Sequence, residues 1–208
     1  MRRIFSMDNP LMKALSIAAD LILLNLLTIL LCLPVVTIGP AVTAMNDIVI
    51  RIVRGEEGYI IQPYFKAFKA NLKRGMLFSL ILVAAGGILY LDYLVLMAYY
   101  PDLKVVVFAI AVIVLVIFIY VFGLQARYEN TFRNTFKNAL ILAIVNFPRT
   151  LAMVVCTVGL WVLCITFYQF GIPILLLMGF SMPCYVNILL LNGVFRKLEG
   201  EESDDGPA

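Results

Sequence analysis

Five stretches of this chain are each apolar and long enough to cross a lipid bilayer, which takes roughly 20 consecutive apolar residues in a helix. They run from about 14 to 36, 76 to 97, 105 to 124, 151 to 170 and 172 to 195. Hydrocarbon offers no partner to backbone amides and carbonyls, so runs of this length predict helices that satisfy their own hydrogen bonds. The expected fold is all-α: a polytopic transmembrane helical bundle of five spans, with a broken or re-entrant segment after the first. With 63% hydrophobic residues, 14% charged residues and a mean hydropathy of +1.00, the chain lacks the polar surface that a soluble domain requires. We divide it into a single transmembrane domain over 1–197 and an acidic, solvated, disordered tail over 198–208.

The first run is too long for a signal-peptide core and ends without a small-residue cleavage site, so it is expected to stay as a membrane segment. Basic residues then set the orientation, because Lys and Arg collect on the cytoplasmic side. Arg51, Arg54, Lys66, Lys69, Lys73 and Arg74 follow the first run, Arg127, Arg133, Lys137 and Arg149 follow the third, and Arg196 and Lys197 follow the last. Those loops and the C-terminus are expected in the cytoplasm. Five simple spans would then leave Arg2, Arg3 and Lys13 outside. Leu33-Pro34-Val35-Val36-Thr37-Ile38-Gly39-Pro40 interrupts the helix, since each proline lacks an amide donor and biases its predecessor away from helix. A return segment over about 41–53 would remove the conflict. We favour a broken or re-entrant hairpin with both termini inside over five spans with the N-terminus outside. Because that segment carries Asn46, Asp47 and Arg51, it must face protein or a wet cavity rather than lipid.

The chain contains no histidine, which removes the commonest general base and transition-metal ligand. Cys32, Cys156, Cys164 and Cys184 lie in apolar runs without a Cys-x-x-Cys spacing, and read as packing residues. No nucleophile and base pair can be assembled from these spacings, so neither an enzyme nor a cofactor or metal site is expected. Arg54-Gly55-Glu56-Glu57-Gly58 has turn-forming glycines, but its carboxylates argue against a nucleotide cradle. A net charge of +3 carried between apolar runs serves topology, so nucleic acid is not expected as a partner either.

Polar residues inside apolar runs form the candidate intramembrane polar site: Asp20, Asn25, Asn46 and Asp47. A functional reading makes them contacts for an ion, proton or sugar hydroxyl. The plainer reading puts Asp20 near the headgroups, or in a pair with Arg51 or Arg54. Asp92, among Tyr90, Tyr93, Tyr99 and Tyr100, reads as an interfacial anchor. Asn187 and Asn192 are expected to bond neighbouring helices and to satisfy carbonyls freed by Pro173 and Pro183. Phe65 and Phe68 before the second run, and Phe132 and Phe136 before the fourth, lie three or four residues apart beside Lys66, Lys69, Arg133 and Lys137. Each segment predicts an amphipathic helix at the inner surface. Interfacial anchoring is the plainer role for these rings, and docking on a cytoplasmic partner the sharper one.

Met7-Asp8-Asn9-Pro10-Leu11-Met12, the stretch from Asp20 to Leu27, Leu33 to Pro40, and Val53-Arg54-Gly55-Glu56-Glu57-Gly58 with the following Phe65-Lys66 region together resemble the YesL family, also called DUF624. The resemblance is dense over about the first 75 residues and looser beyond. It implies a bacterial cytoplasmic-membrane protein with no assigned catalytic residues, encoded near carbohydrate ABC importers and two-component regulators. The expectation is therefore a non-catalytic accessory associated with a carbohydrate ABC importer permease or its membrane sensor. The alternative is a small solute transporter or channel in its own right.

Overall fold

The computed structural model describes residues 10–56, 58–99, 104–128 and 131–198. Arg2, Arg3, Glu57, Tyr100 and the acidic tail beyond Leu198 lie outside the described residues. Those described form helices α1 (Pro10–Leu31), α2 (Ile38–Val53), α3 (Ile61–Ala70), α4 (Leu72–Tyr99), α5 (Lys104–Arg127), α6 (Phe132–Val145), α7 (Phe147–Thr166), α8 (Tyr168–Met178) and α9 (Ser181–Leu198), with no strand among them. Among the described residues, five stretches are long and apolar enough to cross a membrane: Met12–Leu31, Val35–Val53, Leu72–Leu96, Val105–Arg127 and Phe147–Thr166. A sixth candidate is the pair α8 and α9, which meet at 55°. The protein is a polytopic all-α bundle, as expected. The interruption falls at Cys32–Thr37, where Thr37 Oγ1 donates to the carbonyls of Leu31 and Pro34 and so closes the end of α1. The return segment expected over about 41–53 is helix α2. One detail differs from expectation: the last apolar run is not a straight span.

α2 sits at the centre. It packs against α1, α3, α4, α5 and α9, and its buried residues run from Gly39 to Ile50 with few gaps. A helix carrying Thr43, Asn46 and Asp47 is a poor lipid neighbour, and here protein surrounds it, as its polarity requires. Its first turn crosses the first turn of α4 at two glycines: a Cβ on Gly39 would overlap the carbonyl oxygen of Gly75, and one on Gly75 would stand 2.6 Å from the nitrogen of Pro40. The Gly39 amide, near the helix start where no intrahelical acceptor exists, donates to Ser79 Oγ at 2.6 Å. Phe78 of α4 meets Phe122 of α5 edge-on just beside this crossing. Beyond it, the far halves of α4 and α5 leave Ile88, Leu91, Val105 and Phe108 exposed, the pattern of lipid-facing surface.

Other contacts show which helix ends lie together. Thr43 of α2 meets Gln125 near the end of α5. Arg127 at the end of α5 reaches Asn192 of α9. Tyr120 of α5 bonds Thr150 in the first turn of α7. The start of α2, the start of α4, the end of α5, the start of α7 and the later part of α9 thus share one end of the bundle. That end holds Lys73, Arg74, Arg127 and Arg149, and it is called the base below.

Candidate functional site

The most complete polar constellation inside the bundle is built on Asn25. Its side chain is wholly buried on α1 and faces the bend between α8 and α9. The end of α8 leaves carbonyls without intrahelical partners, and the start of α9 leaves amides without acceptors. Asn25 Nδ2 donates to the carbonyls of Leu176 (2.7 Å) and Leu175 (3.3 Å). Asn25 Oδ1 accepts from the amides of Phe180 (2.9 Å) and Ser181 (3.1 Å). One amide therefore caps two helices at once, with its donor at the negative end of one helix dipole and its acceptor at the positive end of the other. The bend needs Gly179, where a Cβ would press on the Leu175 backbone. Trp161 of α7 packs edge-on against Phe180 at the same place.

Among the described residues, no hydrogen bond or ion pair joins the four candidate polar residues to one another, and Asn25, Asn46 and Asp47 each bond elsewhere. Asn46 Nδ2 donates to Val42 in its own helix, and Asp47 pairs with Arg51 at 3.2 Å. Arg51 is therefore engaged by Asp47 one turn away, while Asp20 is half-buried on α1. A shallow surface dent between α5 and α7, lined by Val116, Ile119, Tyr120, Thr150, Met153 and Val154, includes none of the candidate polar residues. Asn187 donates to Thr157 and Asn192 accepts from Arg127, so both bond neighbouring helices as expected. The helix ends at the bend, however, are served by Asn25. Gly179 followed by Ser181 and Pro183 is a helix-stop and helix-start signature that would have located the bend from sequence.

α3 and α6 are short helices at the base. Tyr64 anchors α3: it is fully buried, its hydroxyl 3.2 Å from Thr28 Oγ1 of α1 and 3.3 Å from the Ala41 carbonyl of α2. Burial drives its pKa well above the usual tyrosine range, against the opposing effect of the Thr28 hydrogen bond. Phe68 packs partly buried against the core, whereas Phe65 on the same helix is 38% exposed. On α6, Ala139, Leu142 and Ala143 face the core and Phe136 is 38% exposed. Phe132 opens α6, with its side chain outside those described. Among the described residues all four cysteines are free, and no group of His, Cys, Asp or Glu is placed to hold a metal.

No curated protein and no solved structure matches this chain. Residues 21–93, from Leu21 through the α2–α3 segment into α4, match a family described as "Protein of unknown function, DUF624". That segment, residues 21–93 of 208, holds Asn25, the Gly39–Gly75 crossing and Tyr64, and over it the chain is similar to the DUF624 family.

Proposed function

We propose that this protein is a non-catalytic membrane accessory that docks another membrane component, a carbohydrate importer permease or its sensor, through α3 and α6. The observation that carries this reading is the pair of exposed rings, Phe65 and Phe136, on two short helices at the base whose opposite faces are sunk in the core. Rings held on anchored helices beside Lys66, Lys69 and Lys137 form a preorganised contact surface, which lowers the ordering cost of binding. The importer or sensor is named by the genomic setting that the family resemblance implies.

The same reading fixes an orientation. Because Gly39 contacts Gly75 and Ser79, the chain between them leaves the base and returns to it, making no net crossing. α1, α4, α5, α7 and the bent α8–α9 pair then give five crossings, with the termini on opposite sides. The cations of the base outnumber Arg2, Arg3, Lys13 and Lys104, and by the positive-inside tendency we read the base and the C-terminus as cytoplasmic and the N-terminus as outside. It is the alternative to the cytoplasmic N-terminus favoured from the sequence.

The test is capture of the tagged protein from native membranes in mild detergent, with a Phe65→Ala, Phe136→Ala variant beside it. An importer or sensor subunit recovered with the parent and lost with the variant supports the reading; equal recovery from both sinks it. Reporter fusions at each terminus check the orientation separately: a C-terminal fusion fluorescent in the cytoplasm, with an N-terminal fusion active only outside, is the expected pattern.

A further inference from the structure

Arg149 occupies an electrostatically poor position. It stands in the first turn of α7, where the positive end of the helix dipole disfavours a cation and where no acidic side chain is present. Its Nη1 is buried with no hydrogen-bond partner, a costly state for a charged donor. Its Nη2 lies over Gly193 of α9, 3.5 Å from where a Cβ would stand. Arg127, in the last turn of α5, reaches the adjacent residue of α9, with its Nη1 3.4 Å from Asn192 Oδ1. Tyr120 and Thr150, whose hydroxyl oxygens are 2.8 Å apart, belong to the same α5–α7 contact. Two guanidinium groups thus approach consecutive residues of α9 from two different helices. They do so where the candidate span of α7, Phe147–Thr166, begins, and the ends of a span are where headgroup phosphates are expected.

We propose that Arg149, assisted by Arg127, binds a phosphate group at the membrane boundary between α5, α7 and α9. A phosphate on the accessible edge of the half-buried Arg149 side chain offsets both the guanidinium charge and the α7 dipole. The planar fork of arginine matches its oxygens in a way that a lysine ammonium does not. The phosphate comes either from an anionic phospholipid headgroup or from the free ion, and the two sources are separable.

The test uses the full chain in neutral detergent. Thermal unfolding is followed with phosphatidylglycerol, phosphatidylcholine or inorganic phosphate added, for the parent, Arg149→Gln and Arg149→Lys. Phosphatidylglycerol is expected to raise the parent's unfolding temperature more than phosphatidylcholine does. Arg149→Gln should weaken the apparent affinity by about tenfold or more, with Arg149→Lys intermediate. An Arg149-dependent gain from inorganic phosphate alone would identify the free ion as the source. Equal responses in the parent and Arg149→Gln, or no preference for the anionic additives, overturn the proposal. If Arg149→Gln does not fold, native mass spectrometry of the parent decides: retention of phosphatidylglycerol over phosphatidylcholine is expected, and equal retention refutes the site.

Discussion

Replacing Asn25 with leucine keeps the side-chain size but removes every polar atom that caps the α8–α9 bend. Two carbonyls, of Leu175 and Leu176, lose a donor, and two amides, of Phe180 and Ser181, lose their acceptor. A net hydrogen bond contributes about 1 kcal/mol in a protein interior, and about 0.6 kcal/mol on average between membrane helices. Four contacts, one of them long, therefore sum to about 2–4 kcal/mol. A leucine gains little in return, because lipid-like surroundings are no less apolar than the bundle interior. At about 2–4 °C per kcal/mol for a chain of this size, the midpoint should fall by about 5–15 °C. The natural assay is intrinsic fluorescence during thermal unfolding in detergent, since Trp161 is the chain's single tryptophan and touches Phe180 at the bend. A variant that unfolds within about 0.5 kcal/mol of the parent, with Trp161 emission unchanged, would refute the capping argument.

Gly39→Ala places a methyl group against the Gly75 carbonyl, so α2 and α4 must separate; we expect a loss of several kcal/mol, seen as a collapse of the monodisperse peak in size-exclusion chromatography. Tyr64→Phe removes the hydroxyl contacts to Thr28 and Ala41 and should cost about 1 kcal/mol by thermal unfolding. Because burial raises the Tyr64 pKa, its stabilisation is complete below about pH 10 and declines as pH rises further, so Tyr64→Phe should flatten the alkaline limb of stability against pH. Burial also pushes the Cys32 thiol up to about 11, so iodoacetamide should modify Cys32 slowly in the folded protein at pH 8 and faster as pH approaches that value, read by mass spectrometry of peptides.

Much of the bundle was legible in the sequence because bilayer thickness imposes a length on apolar runs, and α1, α4, α5 and α7 each carry that length undisguised. The two short helices α3 and α6 were legible too, from ring spacing beside basic residues. Position within the bundle was not. Nothing local in Ile38–Val53 says that this helix lies at the centre, beyond the polarity of Thr43, Asn46 and Asp47, which says only that lipid is not its neighbour. Gly39-Pro40 read as a helix breaker. In the fold it is also the site of closest approach to Gly75, a pairing between positions far apart in the chain. Asn25 was visible as a polar residue in an apolar run, but its partners are backbone groups on α8 and α9, and backbone groups leave no mark on sequence. Phe68 looked equivalent to Phe65, yet one turn of α3 carries Phe68 toward the core while Phe65 stays outside.

The central place of α2 has a consequence for biogenesis. Its surroundings come from α1 and α3, made at nearly the same time, but also from α4, α5 and finally α9, near the end of the chain. During synthesis, α2 leaves the ribosome long before the surface that will cover Ile48, Val49 and Ile50 is complete. A chain stopped before α9 would carry that face uncovered and should be a preferred target of membrane quality control. The innermost helix is thus among the first to be translated and among the last to be enclosed, and the waiting interval is when this protein is most vulnerable.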